Sequence, residues 1–370
     1  MRPAEAVVDL SAVRHNVRLL LDLAAPAALC AVVKADGYGH GAVPVARAAL
    51  DAGATWLGVA LPSEGAQLRE AGLDGPVLVL SEPSPAEWDD VVRLRLTPAV
   101  YSRAGIDGLA KAVADAGADP LAVHLKVDTG MHRVGAPVDA AVERARLVAG
   151  HPELLLEGVW THCAVADDPG DPFTGVQAAR FDAVLADLAA AGVRPSLVHA
   201  ANSAATIEAP SLRHDLVRCG ITVYGLDPSP ALAGRLPLRP ALSLLARVTH
   251  VQRLAAGERV SYGRRRPLPS DGVVATVPLG YADGVPRRLG EVGGEVLVRG
   301  KRRPFAGTVT MDQVLVDCGT DDVEVGDEVV LLGEQGGERI GAEEWAERLG
   351  TISYEIVCGL SPRVPRRYVG

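Results

Sequence analysis

Ala31-Val-Val-Lys34-Ala-Asp-Gly-Tyr38-Gly-His40-Gly41 is an apolar run that ends on a lysine and breaks at once into a glycine-punctuated loop. Such a run predicts a buried strand presenting Lys34 at its C-terminal tip, because a strand covered on both faces need not alternate polar and apolar residues. The chain has only four lysines, Lys34, Lys111, Lys126 and Lys301, among 37 basic residues. One placed at the end of a buried strand therefore does more than supply charge. Partial burial lowers the pKa of a lysine, and the free amine attacks carbonyls to form a Schiff base.

Outward from this stretch, residues 9 to 225 alternate short β-rich runs with longer helical patterns. Strands are expected over 28–34, 56–61, 77–81, 96–100, 122–128, 156–162, 197–201 and 216–221. Asp9-Leu-Ser11 opens a helix carrying Val13, Val17, Leu20 and Leu21 at helical spacing, and the segments 43–53 and 180–192 give helices that stop at a glycine. Eight strands separated by helices predict a (β/α)8 TIM-type barrel. Past Pro228, Pro230, Pro237 and Pro240 the pattern changes to β-type runs with Gly and Asp turns, at 242–251, 273–279, 295–299, 313–317 and 328–332. The expected organisation is an α/β barrel over 1–232, followed by a mostly β C-terminal domain over 233–370.

Composition narrows the function. A formal net charge of −9 argues against nucleic acid as a partner, since phosphate binding rests on clustered Lys and Arg. The runs Arg264-Arg-Arg266 and Lys301-Arg-Arg303 are short and read as solvated loops or rims of an entrance. Cys30, Cys163, Cys219, Cys318 and Cys358 are odd in number and lack CxxC spacing, which predicts reduced thiols in a cytoplasmic protein and no zinc site. No apolar run approaches the roughly 18 residues of a membrane span, so neither export nor a membrane anchor is expected.

Function in such a barrel gathers at the C-terminal ends of the strands. There the first strand delivers Lys34, Tyr38 and His40; the fifth, Lys126-Val-Asp-Thr-Gly-Met-His-Arg133; the sixth, Trp160-Thr-His162; the seventh, His199-Ala-Ala-Asn-Ser203; the eighth, Arg218-Cys-Gly220. Ser203, Gly220 and Ile221 follow strands seven and eight, where barrels commonly bind phosphate. A Schiff-base lysine together with a phosphate cup suggests pyridoxal 5′-phosphate. Taken singly, each residue has a plainer role: Ser203 as a helix N-cap, His162 as a core histidine, Arg218 as half of an ion pair, Lys126 as the partner of Asp128.

The motif around Lys34 resembles the cofactor-attachment motif of the alanine racemase family, the fold type III pyridoxal-phosphate enzymes. The resemblance runs through Lys126-Val-Asp-Thr-Gly-Met131, Thr161-His162, Ala201-Asn-Ser203, Val217-Arg218-Cys-Gly220 and Tyr224-Gly225. It continues through Val260-Ser-Tyr262-Gly263, Gly280-Tyr281-Ala-Asp-Gly284, Met311-Asp-Gln313 and Tyr354-Glu355. It implies interconversion of L- and D-alanine, with D-alanine supplied to peptidoglycan. Lys34 would carry the cofactor as a Schiff base and serve the D-substrate's proton, with Tyr262 serving the L-substrate's from the opposite face. An ordinary phenol titrates near 10, so the family's tyrosine base needs help; His162 and Arg218 are its expected supports, and Arg218 would also face the pyridine nitrogen. Tyr38, Ser203, Gly220, Ile221 and Tyr354 match phosphate contacts. Arg133 and the backbone N–H of Met311 match groups that hold the substrate carboxylate, Tyr281 an entrance residue, and Lys126 a lysine that several members carry as a carbamate. In the family the tyrosine reaches the other subunit's barrel, which implies a homodimer with composite sites.

One departure stands out. Thr308 lies three residues before Met311, where many members have an arginine lining the substrate corridor, so entry and preference are open at that point. A broader amino-acid racemase of the same fold remains an alternative. A basic amino-acid decarboxylase is disfavoured by Val260-Ser-Tyr262-Gly263, and a single-barrel pyridoxal-phosphate-binding protein by the presence of residues 240–370.

Overall fold

The computed structural model describes residues 2–370. Two compact units form: one from Ala12–Gly37 and Ala42–Arg239, the other from the residues up to Ser11, Tyr38–Gly41 and Pro240–Gly370.

Eight parallel strands build the first unit: Ala28–Val32, Trp56–Val59, Val77–Val79, Thr97–Val100, Leu121–Asp128, Leu154–Trp160, Leu197–His199 and Leu216–Cys219. They neighbour one another in chain order, and the eighth returns to pair with the first. Between the seventh and eighth the ring is joined by single bonds, Asp215 N–H to Val198 O at 3.0 Å and Arg218 N–H to Ala201 O at 2.9 Å. The expected barrel is therefore present and nearly closed. Trp56–Val59, Val77–Val79, Thr97–Val100 and Leu216–Cys219 are buried throughout and Ala28–Val32 in all but its first residue, which is why such strands read as unbroken apolar runs.

Local chemistry sets the helix limits. The expected start at Asp9-Leu-Ser11 holds: the Asp9 carboxylate accepts from Ser11 N–H at 2.8 Å, and Leu10–Ala24 buries Val13, Val17 and Leu20. The helix expected from 180 instead spans Phe173–Ala190, and a turn in which the Asp171 carboxylate accepts from Phe173 N–H at 2.8 Å leads into it.

The second unit is mostly β. Its main sheet runs Lys301–Pro304, Glu295–Val298, Glu328–Gln335, Leu242–Arg247, Ala4–Asp9, Arg366–Val369, with Glu338–Ile340 attached to Glu328–Gln335. Ala4–Asp9 pairs antiparallel to Leu242–Arg247 and parallel to Arg366–Val369, which places the chain's first strand in this unit. The single strand expected over 242–251 is two. Leu242–Arg247 lies in the main sheet, and His250–Leu254 crosses to a second sheet with Gly272–Val277 and Val314–Asp317. Lys301-Arg-Arg303, expected as a loop, is an edge strand whose charges are paired: Lys301 with Asp321 at 2.8 Å and Arg302 with Glu344 at 2.9 Å. No helix among the described residues is long and apolar enough to cross a membrane.

Candidate active site

The first barrel strand stops at Val32, two residues before Lys34. From Lys34 to Tyr38 the backbone winds one left-handed turn, with φ of 53°, 50°, 61° and 51° at Ala35, Asp36, Gly37 and Tyr38. Left-handed backbone costs a non-glycine residue about 1 kcal/mol or more, so the three in this turn, Ala35, Asp36 and Tyr38, must be held from outside. Gly37 N–H bonds Val33 O at 2.8 Å, and the Asp36 carboxylate accepts from Ala42 N–H at 2.9 Å. Glu64 supplies the third tie: Oε1 accepts from Ala35 N–H at 2.7 Å while Oε2 accepts from Ala60 and Leu61 N–H. One carboxylate thus caps the helix Pro62–Glu70 and grips the residue next to Lys34. The sequence reading missed Glu64; its only signal is an acid placed as the third residue of a helix. Glu64→Ala should lower turnover about tenfold or more by loosening the lysine's placement; Glu64→Gln, which keeps an acceptor, should retain most of it. Steady-state kinetics on the two variants decides.

Across the same barrel, Arg218 is buried at 3 % exposure. Its Nη1 bonds His199 Nδ1 at 2.8 Å, and its Nη2 reaches Thr161 O at 2.8 Å, Ala200 O at 3.0 Å and His162 Nδ1 at 3.3 Å. Among the described residues no carboxylate forms an ion pair with it, and none of these bonds uses its Nε–H. Burial lowers its pKa to about 10, so it stays a cation at neutral pH. The Trp160 ring lies 4.5 Å from its guanidinium and 4.4 Å from Lys126 Nζ. Burial, then the charges of Arg218, Arg133 and Lys34, brings Lys126 down to about 7. Burial and the same cations hold His162 well below the ordinary histidine range, as a neutral ring. Lys34, Lys126, Arg133, His162 and Arg218 therefore share one electrostatic neighbourhood, as expected from their strand ends. The plainer role of Lys126 does not apply: its amine points to Leu80 O at 3.4 Å, not to Asp128.

Ser203 is not the helix cap. Asn202 takes that place, accepting from Ala205 N–H at 3.0 Å. The Ser203 oxygen instead accepts from Gly220 N–H at 2.9 Å and from the Thr222 hydroxyl at 3.1 Å. With two donors on its oxygen, Ser203 keeps its own proton to give. Gly220 and Ile221 follow the eighth strand directly, at the start of the 3-10 turn Ile221–Tyr224.

The remaining expected residues belong to the β-rich unit. Tyr38 and Tyr354 pack as a tilted pair with ring centres 6.1 Å apart. Arg366 grips Gly39 O with two N–H groups at 3.0 and 3.1 Å, and a side chain at Gly39 would strike Val357 O. Tyr262 is 75 % exposed. Its turn is fastened by Thr308: the Thr308 hydroxyl donates to Tyr262 O at 2.9 Å, and the Ser261 hydroxyl donates to Thr308 O at 2.6 Å. Thr308, the departure that leaves entry and preference open, is here a clasp on the tyrosine turn. Tyr281 and Met311 are both exposed and face each other through backbone bonds, Tyr281 N–H to Thr310 O and Ala282 N–H to Met311 O. The fully buried Asp283, unread in the sequence, ties these loops to Gly280 N–H, Arg2 and Arg363.

The chain matches family models over nearly its whole length: "Alanine racemase, N-terminal domain" over residues 8–228 and "Alanine racemase, C-terminal domain" over 241–368. An alanine racemase of Symbiobacterium thermophilum is 50 % identical across 100 % of this chain and 98 % of its own, and one of Nostoc sp. is 43 % identical across 97 % and 94 %. The crystal structure of alanine racemase from D-cycloserine producing Streptomyces lavendulae superposes with a TM-score of 0.94 at 42 % identity, covering 100 % and 98 % of the two chains. A histidine racemase from Leuconostoc mesenteroides superposes at 0.92 with 31 % identity, over 100 % and 99 %. On residues, fold and full-length similarity together, the chain belongs to the alanine racemase family.

Proposed function

We propose that the chain interconverts L- and D-alanine with pyridoxal 5′-phosphate, using Lys34 and Tyr262 as bases on opposite faces of the substrate. The observation that carries the reading is a buried guanidinium with an N–H to spare and no carboxylate partner, sharing a barrel mouth with a lysine. That donor set fits the cofactor: an amine for its aldehyde, Arg218 for its ring nitrogen, and the Ser203 hydroxyl for its phosphate. Gly220 N–H, turning from the Ser203 oxygen that it meets here, Ile221 N–H and the phenols of Tyr38 and Tyr354 complete the proposed phosphate grip. When bound, pyridoxal 5′-phosphate supplies an aldehyde that takes up the substrate amine and a ring that draws electrons from its Cα–H bond, acidifying the α-proton.

The protein's part is placement and proton transfer. Lys34 takes or returns the proton on the face used by D-alanine, and Tyr262 on the face used by L-alanine. A guanidinium donates and cannot accept, so Arg218 hydrogen-bonds the ring nitrogen without protonating it. That moderates the electron sink and disfavours side reactions. His162 accepts from Arg218 at Nδ1 and, being neutral, carries its proton on Nε2, available to the phenol oxygen. Arg133 and the Met311 N–H hold the substrate carboxylate, with Tyr281 at the entrance.

A homodimer follows from the same reading, with Tyr262 entering the second subunit's barrel. Its support is the exposure of Tyr262, with Tyr281 and Met311, on the β-rich unit, which leaves the proposed base open to reach a second subunit. Buried thiols at Cys30, Cys163 and Cys219 fit a reducing, cytoplasmic setting in which D-alanine feeds peptidoglycan precursors. Incubation with the cofactor and L-alanine in D2O tests the activity. Loss of the α-proton with D-alanine rising to an equal mixture supports it; bound cofactor without exchange on alanine, but with exchange on larger amino acids, replaces it with a broader racemase.

Lys126 is proposed to work as a carbamate. Near pH 7 half of its amines are uncharged, and only the uncharged nitrogen can bond the carbon of carbon dioxide, releasing a proton and leaving an anion for Arg133. Carbon-13 bicarbonate should give a bound carbamate signal that fades as pH falls below 7 and is missing in Lys126→Ala. A signal equally strong at pH 5.5 would contradict the assignment.

A further inference from the structure

Barrel interiors are ordinarily filled by layers of branched apolar side chains. Here His124, Trp160, His199 and Arg218, from the last four strands, occupy the interior at 0–3 % exposure. Gly158, the register partner of His124, leaves the room: a Cβ there would sit 2.7 Å from the His124 ring. Three of these polar groups are linked end to end. Arg218 Nη1 meets His199 Nδ1 at 2.8 Å, His199 Nε2 meets His124 Nδ1 at 2.9 Å, and His124 Nε2 meets Glu157 Oε2 at 3.2 Å. Glu157 lines a cavity of about 580 Å³ with Trp56, Arg69, Thr97, Asp119 and Leu121. Trp56, Thr97 and Leu121 begin strands, Asp119 precedes one and Arg69 lies in the last turn of a helix that leads to one, so the chain of bonds runs from the mouth of the barrel to its opposite end.

The direction of every proton follows from one fact, that a guanidinium only donates. His199 Nδ1 must accept, so a neutral His199 carries its proton on Nε2 and gives it to His124 Nδ1. His124 then carries its own proton on Nε2 and gives it to the Glu157 carboxylate. An imidazolium at either place would set two N–H groups against each other, and burial with the Arg218 charge keeps both rings below the ordinary histidine range.

We propose that Glu157 is a positioning residue for Arg218, acting through His124 and His199 to hold the guanidinium in the orientation that meets the cofactor. With the acceptor lost, the His124 Nε2–H is left buried without its partner, so the ring is no longer fixed at its far end. The His199 ring it supports is loosened with it, and the guanidinium loses a fixed acceptor at Nη1. The proposal rests on the reading of Arg218 as a cofactor contact, whereas the proton pattern does not.

Nitrogen-15 histidine labelling of the holoenzyme reads the pattern directly, because a coupling across the N–H···N bond identifies the two rings without any variant. Both rings are expected neutral with Nε2 protonated; an imidazolium or an Nδ1–H ring at either position overturns the relay. Glu157→Gln keeps an acceptor and should preserve the pattern, kcat and the visible band of the bound cofactor. Glu157→Leu, or Glu157→Ala should the first not fold, should disturb the pattern, displace the band and lower kcat about tenfold with KM for alanine little changed. Wild-type kcat and band in that variant overturn the positioning role. A wild-type protein with the expected pattern and no racemisation of any amino acid would instead overturn the functional reading and leave the relay standing.

Discussion

Lys34→Ala is expected to abolish racemisation in both directions, with a loss of about 10⁴-fold or more. The size follows from two jobs done by one amine: a proton-transfer group alone is worth about 10²–10⁴, and covalent hold on the cofactor is lost as well. The phosphate grip proposed for Ser203, Gly220 and Ile221 would be untouched, so the cofactor should still bind, more weakly, with the absorbance of a free aldehyde. The other lysines serve as controls. Lys111 pairs with Asp115 one helical turn away and Lys301 with Asp321, both at the surface, where such pairs contribute about 0–1 kcal/mol to stability. Lys111→Ala and Lys301→Ala should therefore racemise normally. Chiral separation of product from each variant settles the matter, and a Lys34→Ala protein within tenfold of wild type would remove Lys34 from the mechanism.

The barrel was legible because its strands are short, parallel and covered on both sides, conditions that write themselves as runs such as Leu29-Cys-Ala-Val32. Lys34, Lys126, His162 and Arg218 were legible together because a barrel brings strand ends to one place whatever their separation in sequence. What stayed hidden depends on partners far apart. Ala4–Asp9 is a strand only because Leu242–Arg247 and Arg366–Val369 lie on either side of it. Val248 bonds to Asp327, which leads into the main sheet, and Thr249 to Thr276 in the second sheet, which splits a run that reads as continuous. The left-handed turn after Lys34 was signalled by its glycines, yet Ala35, Asp36 and Tyr38 share its backbone only through ties such as Glu64, twenty-nine residues from Ala35. The His124–His199 contact joins rings seventy-five positions apart, and neither histidine has a sequence neighbour that announces the other. Thr308 stands out in sequence only as a departure that leaves entry and preference open, because its service to the Tyr262 carbonyl is a hydrogen bond across forty-six residues.

Tyr262→Phe is expected to separate the two halves of the reaction. Removal of the α-proton from L-alanine should slow by about 10²–10⁴-fold, while D-alanine continues to exchange its α-proton with D2O through Lys34 and returns as D-alanine. The turn should survive the change, because Ser261 and Thr308 hold the backbone there, not the ring, and the ring is exposed. Cofactor absorbance and thermal unfolding should accordingly match the wild type. Mixing then tests the composite site. If Lys34 and Tyr262 of one site come from different subunits, a dimer of one Lys34→Ala chain and one Tyr262→Phe chain has one site with both defects and one with neither. Random reassociation of the two inactive proteins should restore about a quarter of the wild-type activity, half of the dimers being mixed and each holding one sound site. If both residues of a site come from one chain, every site keeps one defect and mixing restores nothing. Recovery on mixing would therefore assign Tyr262 to the neighbouring barrel from kinetics alone, and full two-way racemisation by Tyr262→Phe would end the two-base assignment before mixing is tried.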